Sequence, residues 1–116
     1  MPVNRLKKRA EFLKVAATRK KWVASGLILQ VRRRADTEID GVQSRVGFTV
    51  SRKVGNAVRR NRVRRRLRAV AGQVIGRHGR DGHDFVVIGR QGTIERSFAA
   101  LLGDLETALR KMGAYC

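Results

Sequence analysis

The central part of the chain reads NAVRRNRVRRRLRAVAGQVIG over residues 56–76. Its apolar residues recur at the i, i+4, i+7, i+8, i+11 and i+12 spacing of one buried helix face. They are Val63, Leu67, Val70, Ala71, Val74 and Ile75. Asn56 follows Gly55 and is a favourable N-cap, and Gly76 or Gly79 is expected to end the helix. The stretch therefore predicts a long amphipathic helix that packs on a core by one side.

The other side of this predicted helix is cationic. Residues 52–68 contain nine Lys and Arg residues and no acid. Because positions i, i+4 and i+7 share a helix face, Asn61, Arg65 and Arg68 line up opposite the apolar stripe, with Arg62 and Arg64 beside them. Like charges at this spacing repel one another unless phosphate groups neutralise them. The helix is therefore expected to face a polyanion.

The whole chain shows the same bias. Its 116 residues include 27 Lys and Arg against 9 Asp and Glu, which gives a formal charge of +18 and a pI of about 11.8. Arginine supplies 20 of the 27 cations, and its planar guanidinium binds phosphate through two parallel hydrogen bonds. Nucleic acid is the favoured partner; a solvated basic surface or an anionic membrane surface fits less well.

Apolar patterns in the rest of the chain predict the remaining elements. Alternating or continuous apolar runs predict strands over residues 22–24, 27–32, 45–50 and 85–88. A short first helix is predicted from Leu6, Ala10, Leu13 and Ala17, and a last one from Phe98, Leu101, Leu102, Leu105 and Leu109. Phe48, Phe85 and Phe98 are assigned to the core, and residues 36–44 to a polar connection. The order predicts a single α+β domain over residues 1–116, with one βαβ crossover.

Several classes of protein are excluded by what the sequence lacks. No apolar run approaches the ~20 residues of a membrane span, and no hydrophobic stretch follows the basic N-terminus. Cys116 is the only cysteine, which excludes an internal disulfide framework or a thiolate zinc cluster. His78 and His83 are assigned to a glycine-rich loop, and no acids converge as metal ligands. We therefore expect a soluble, cytoplasmic protein with no catalytic or metal-binding residues and no small-molecule substrate.

Residues 51–68, SRKVGNAVRRNRVRRRLR, closely resemble the Arg-Asn-Arg segment of the bacterial ribonuclease P protein component. The likeness extends to residues 6–12, which resemble the first helix of that family, and to residues 45–50 and 84–90, which resemble its flanking strands. It covers nearly the whole chain, in the same order and spacing. On these motifs the chain is identified as a member of the family.

The resemblance implies both a fold and a function. The fold is a mixed four-stranded sheet with three helices in the order αβββαβα, like the second domain of ribosomal protein S5, with a left-handed βαβ crossover. The function is that of the small subunit of a ribozyme that removes the 5′ leader from precursor tRNA. The RNA, with Mg²⁺ bound mainly by RNA and substrate, then supplies the chemistry, and the protein is a non-catalytic subunit.

The resemblance also implies two sets of binding residues. Matching positions that should face the catalytic RNA are Arg59, Arg60, Asn61, Arg62, Arg64, Arg65 and Arg68, with Arg52, Lys53 and Asn56 at the same edge, near the cleavage region. A cleft between the first helix and the sheet should hold the leader, with Phe12, Ala16, Ile28 and Gln30 as its lining. Ala16 and Gln30 stand where relatives often have aromatics, so stacking should contribute less here. Phe12 fits a core role as well.

Two other classes of protein would share the charge and the size of this chain. A ribosomal protein would bind ribosomal RNA structurally and would stimulate no cleavage. A DNA-binding architectural protein would bind duplex DNA, but no segment resembles a helix-turn-helix with a reading helix.

Overall fold

The computed structural model describes residues 4–35 and 44–116, and these residues form one sheet with helices on both faces. The predicted polar connection at residues 36–44 lies outside the described residues except for Ser44. The strands of the sheet are β1 (Asn4–Arg5), β2 (Lys21–Val23), β3 (Leu27–Arg33), β4 (Arg45–Thr49) and β5 (His83–Gly89). Its helices are α1 (Arg9–Ala17), α2 (Ala57–His78), α3 (Gly92–Glu95) and α4 (Phe98–Lys111), with a 3₁₀ turn at Arg52–Val54.

The sheet is mixed, and its order is β1-β4-β5-β3-β2. β4 runs parallel to β1 and β5, whereas β3 is antiparallel to β5 and β2. The parallel neighbours β4 and β5 are joined through α2, so the expected βαβ crossover is present. The α+β class is confirmed, and the hand of the crossover stays a prediction.

The main core lies between the sheet and the helices α2 and α4. The apolar stripe of α2 is buried as predicted, from Val63 to Ile75. It meets alternate residues of β3, namely Leu27, Leu29 and Val31, and the buried face of α4. At about 25 cal/mol per Å² of buried apolar surface, this contact dominates the stability of the fold.

The opposite face of the sheet carries only α1. Leu6, Val15 and Val86 form a second, smaller cluster there, and Phe12 and Ile88 pack against it. Because side chains alternate along a strand, Ile28 and Gln30 of β3 lie on this face, and both stay partly exposed. The sheet therefore separates a large, closed core from a lightly covered face.

Five sequence predictions are corrected by the structure. The sheet has five strands in the described residues rather than four, because Asn4–Arg5 pairs with the start of β4. The described residues form four α-helices rather than three, because Gly92–Glu95 forms a short helix before α4. The stripe predicted for the first helix is wrong: Leu13 is 55% exposed, and the side chain that α1 buries is Val15. Phe98 is not a core residue, since 36% of it is exposed. His78 belongs to α2 rather than to a loop.

None of the helices described for this chain is long and apolar enough to cross a bilayer.

Candidate nucleic-acid interface

The start of α2 is set by the residues that precede it. The Asn56 side chain accepts a hydrogen bond from the Arg59 backbone N–H at 2.9 Å and so caps the helix. Gly55 has a φ of 151°, and a Cβ at this position would meet the Arg59 side chain. Glycine is thus required where the chain turns from the 3₁₀ turn into α2. The predicted N-cap is confirmed.

The outer side of α2 presents a set of exposed side chains that we call the arginine face: Asn61, Arg62, Arg65 and Arg68. Val63 and Leu67, on the other side of the helix, are fully buried. This division follows from the 100° rotation per residue, which turns the two sets to opposite sides. Arg59, Arg60 and Arg64 are half-buried at the margins, and Arg52 and Lys53 are exposed in the 3₁₀ turn.

The cations of this segment have no acidic partners. In the described part of the chain, none of the nine Lys and Arg residues of 52–68 forms an ion pair with a carboxylate. The contacts that hold them are with neutral oxygens: Arg64 donates to Asn61 Oδ1 at 3.1 Å, and Arg66 donates to the Arg96 carbonyl at 2.6 Å. Their charge is therefore available to an external anion.

Three acids of the described residues, Glu11, Asp84 and Asp104, pair with arginines elsewhere in the fold, above all Asp84. This carboxylate is 1% exposed and accepts two hydrogen bonds from Arg45, at 2.8 and 2.7 Å, and one from Arg34 at 2.7 Å. Burial opposes the ionisation of Asp84, yet the hydrogen bonds and charges of Arg45 and Arg34 hold its pKa below the usual value. The hydrogen bond that Arg45 donates to Asp84 in turn raises the pKa of Arg45.

Arg45 also ties the sheet to the first helix. Its Nη1 lies 2.6 Å from Glu11 Oε2, and Glu11 Oε1 accepts from the backbone N–H groups of Lys7 and Lys8. The hydrogen bond from Lys8 is the main cause that lowers the pKa of Glu11. Glu11, Arg45 and Asp84 thus form an ion-pair network that runs from α1 to β5. No sequence pattern identified it, because its members lie far apart along the chain.

The residues predicted to line a leader cleft lie on α1 and on the sheet face that α1 covers, and their role in leader binding stays a prediction. Phe12 is half-buried, and its ring covers Gly47, where a Cβ would collide with it. Ala16 lies one turn further along the same side of α1 and is exposed. Ile28 and Gln30 are partly exposed on the sheet face below. Phe12 therefore packs on the sheet while part of its side chain stays exposed.

Two cations next to this cleft were missed by the sequence analysis. Lys21 of β2 pairs with Gln30 in the sheet, so that both side chains share the cleft face. Arg90 follows β5 and donates to the Ala24 carbonyl at 2.6 Å. With Lys53 it lines a hollow of about 360 Å³ beyond the ends of β4 and β5. The strand pairing that brings these residues together could not be deduced from their spacing.

The described residues offer no cage for a divalent cation. No group of three His, Cys, Asp or Glu side chains converges in them. The buried carboxylate, Asp84, is occupied by arginines. His78 stacks on Tyr115 with 4.5 Å between ring centroids, and His83 Nδ1 lies 2.9 Å from the Asp81 carbonyl. The side chains of the described residues therefore do not fit a resident Mg²⁺.

Comparison with known proteins agrees with this arrangement. The family model described as Ribonuclease P matches residues 2–113. The chain belongs to the ribonuclease P protein family. A relative named Ribonuclease P protein component from Paramagnetospirillum magneticum is 55% identical over 112 residues, which are 97% of this chain and 84% of the relative. Its counterpart from Gluconacetobacter diazotrophicus is 54% identical over 95% of this chain and 91% of the relative.

Solved structures of the ribonuclease P protein family share the fold. The RNase P protein of Staphylococcus aureus superposes with a TM-score of 0.76 at 26% identity, covering 99% of this chain and 100% of the other. The protein from Thermotoga maritima gives a TM-score of 0.72 at 29% identity, covering 90% and 93%. The predicted role, the protein subunit of ribonuclease P in tRNA 5′ processing, is confirmed, with an RNase P RNA as partner. The ribosomal-protein alternative is not supported.

Proposed function

We propose that this chain docks on ribonuclease P RNA through the arginine face and guides the 5′ leader of precursor tRNA through the α1 cleft, while the RNA cuts the phosphodiester bond. The observation that carries the proposal is the arginine face itself: exposed guanidinium groups on one side of a rigid helix, with no carboxylate partner in the described residues. We place this activity in the cytoplasm, where we expected the chain from its sequence.

Phosphate contacts explain why the cations are grouped on a helix. Each guanidinium can bind a phosphate by two hydrogen bonds, and each contact releases condensed counterions from the RNA. Because α2 spans 22 residues and packs along its length on the core, its arginines keep a fixed spacing. A row of cations on a rigid helix suits a folded RNA better than the same cations on a flexible chain would, since little backbone freedom is lost on binding.

The α1 cleft suits a single strand of RNA. The half-buried ring of Phe12 is the candidate stacking surface, and every base has a face that can stack regardless of sequence. Lys21 at the rim and Lys53 with Arg90 beyond the strand ends provide cations for the leader phosphates. With Ala16 and Gln30 in the lining, electrostatic contacts rather than stacking should carry most of the leader affinity.

The chemistry is assigned to the RNA and to Mg²⁺ that the RNA and substrate hold. Metal-free hydrolysis would need an acid and a base on both sides of the phosphate, and two-metal hydrolysis would need converging carboxylates. No three such groups converge in the described residues, and three of their six carboxylates, those of Glu11, Asp84 and Asp104, are engaged by arginines. The protein would instead bring leader and ribozyme together and offset the repulsion between their backbones.

Reconstitution tests this proposal. The purified chain, its cognate ribonuclease P RNA transcribed in vitro, and a precursor tRNA are mixed at low Mg²⁺, where the RNA backbones repel each other most strongly. We expect leader release with both components and not with either alone. Cleavage by the protein alone, or a cleavage rate of the RNA that does not change when the protein is added, would overturn the proposal.

A further inference from the structure

A shallow pocket of about 320 Å³ lies where α2 meets the start of α4. We call it the α2/α4 pocket, and its lining is Arg62, Arg65, Arg66, Ala69 and Phe98. A volume of this size is at the lower end of what small-molecule sites use. The short side chain of Ala69 leaves the space open between the arginines and the aromatic ring.

Phe98 gives the pocket an exposed aromatic wall. It is the first residue of α4, and 36% of its surface is exposed. The other phenylalanines pack in or against the two clusters of the fold. Ser97 caps α4 by accepting a hydrogen bond from the Ala100 N–H at 3.1 Å, which fixes the helix start that carries the ring. An exposed aromatic ring offers a flat, apolar surface on which a base can stack.

The other wall of the pocket is cationic. Arg62 and Arg65 belong to the arginine face, and Arg66 is anchored by its hydrogen bond of 2.6 Å to the Arg96 carbonyl. None of the three forms an ion pair with a carboxylate in the described chain. The pocket therefore joins a flat apolar surface to charges that match phosphate, within one concave site.

We infer that the α2/α4 pocket binds one unpaired nucleotide of ribonuclease P RNA, with its base stacked on Phe98 and its phosphates against Arg62 and Arg65. The inference rests on the proposed docking of that RNA on the arginine face. The nucleotide has to be unpaired, because a base inside a duplex has both faces covered by its neighbours. The combination of aromatic stacking and phosphate contacts is how proteins hold single-stranded nucleotides.

The position of the pocket decides which RNA fills it. The pocket lies on the side of the sheet that α2 and α4 cover, whereas α1 and the cleft proposed for the leader lie on the other side. A leader held in the cleft would have to pass around the sheet edge to reach Phe98. The ribonuclease P RNA, already seated on Arg62 and Arg65, reaches it directly.

Substitution of Phe98 tests the inference through the salt dependence of binding to ribonuclease P RNA. We expect Phe98→Ala to weaken binding by about 5-fold to 100-fold at every salt concentration, since a stacked base contributes on that order. The slope of log K against log salt should stay unchanged, because stacking releases no counterions. Phe98→Trp should bind within about threefold of the wild type, and Phe98→Leu, which keeps the apolar bulk but not the flat face, should bind like the alanine variant.

Two controls separate this inference from the proposed function. Thr107→Ala changes an exposed residue of α4 outside the pocket and should leave binding unchanged. Arg65→Ala should lower the salt slope; if it does while Phe98→Ala binds normally, only the pocket assignment fails. If neither change weakens binding, the assignment of the arginine face as the docking surface for ribonuclease P RNA is wrong.

A photo-crosslinker at position 98 identifies the occupant directly. With p-benzoylphenylalanine in place of Phe98, the assembled complex of protein, ribonuclease P RNA and precursor tRNA is irradiated. A crosslink to an unpaired nucleotide of ribonuclease P RNA supports the inference. A crosslink to the leader or to a base-paired nucleotide, or none to RNA, overturns it.

Discussion

Phe12 belongs both to the packing of the fold and to the proposed leader site. Its ring covers Gly47 and packs on the small cluster formed by Leu6, Val15 and Val86, and the side chain is only half-buried. The sequence left open whether Phe12 belongs to the core or to the binding surface; the structure shows its packing, and its role in leader binding stays a prediction. Its substitution should therefore affect both stability and binding.

We predict that Phe12→Leu, which retains most of the packing, weakens binding of precursor tRNA to the reconstituted enzyme by about 5-fold or more and leaves binding of mature tRNA unchanged. The reason is that only the precursor has a leader to stack on the ring, and one stacked base contributes about 1–3 kcal/mol. Equilibrium binding of the two tRNAs measures the difference.

Gly47 and Leu13 provide the comparisons for Phe12. Gly47→Ala pushes a methyl group into the Phe12 ring and should produce the same selective loss with the ring intact. Leu13→Ala alters the neighbouring, 55% exposed residue of α1 and should change neither affinity. An equal loss for precursor and mature tRNA in the Phe12 variant would make the ring a packing residue only.

Asn56 has two candidate roles, one in RNA binding and one in capping α2. The resemblance assigns it to the RNA surface, and the structure shows it capping α2 through the Arg59 N–H at 2.9 Å. We predict that Asn56→Ala lowers the free energy of unfolding by about 1 kcal/mol, the usual cost of a lost cap. Asn56→Ser retains a capping oxygen and should restore stability; chemical denaturation measures both.

RNA binding by these two variants then decides the second role of Asn56. If Asn56 acts only as a cap, Asn56→Ser binds ribonuclease P RNA like the wild type. A weakened Asn56→Ser variant of normal stability would show instead that the amide touches RNA.

At the scale of elements, α2 was predicted well because its two faces are both encoded locally. The N-cap, the stripe from Val63 to Ile75 and the exposed arginines all follow from neighbours a few positions apart. The short helix α1 was mispredicted for the opposite reason. It begins only at Arg9, after Leu6 has joined the backbone of Val46 through a hydrogen bond of 2.9 Å, so Leu6 cannot belong to a helical stripe.

Phe98 marks a similar limit in α4. Its spacing from Leu101 and Leu105 predicts a core position, and those two residues are indeed buried. Periodicity shows on which side of its helix a residue lies, but not whether a neighbouring element covers that position. Phe98 is therefore on the correct side of α4 for the core and still exposed.

The arginine face should reveal itself by the salt dependence of binding. We predict that the double variant Arg65→Ala/Arg68→Ala lowers the slope of log K against log salt for ribonuclease P RNA by about 1.4–1.8, since each of the two lost phosphate contacts contributes about 0.7–0.9. Titrations at several salt concentrations measure the slope. Arg77→Ala removes an exposed cation of the same helix outside the arginine face and is the matched control. An unchanged slope in the double variant would move the RNA surface elsewhere.

At the scale of the whole molecule, the sheet divides the work between two faces. One face is covered by α2 and α4, and the arginine face of α2 points outward from it. The other face is covered only by α1 and stays accessible next to that helix. The sequence could predict the elements but not the register that joins them. β4 and β5 align Arg45 with Asp84, 39 residues apart, and this pairing creates the ion-pair network that holds α1 on the sheet.

This network should make folding sensitive to acid. The folded-state pKa values of Glu11 and Asp84 are both lowered, so their stabilising contribution is complete above the unfolded values, 4.5 and 3.8, and is lost as the pH falls through the folded ones. We predict that the free energy of unfolding decreases below about pH 4.5, with a slope of up to about 1.4 kcal/mol per pH unit for each proton taken up on unfolding. Denaturant titrations at a series of pH values measure it.

Asp84→Asn separates this network from other acid effects. At pH 7 the variant should lose about 3–5 kcal/mol, because the buried carboxylate that accepts from Arg34 and Arg45 is replaced by a neutral amide. Between pH 5 and pH 3 it should then lose less stability than the wild type, since one of the shifted groups is gone. Asp81→Asn, at an exposed position in the loop before β5, should follow the wild-type curve. If Asp84→Asn kept the full acid dependence, the coupling of α1 to the sheet would rest on packing rather than on charge.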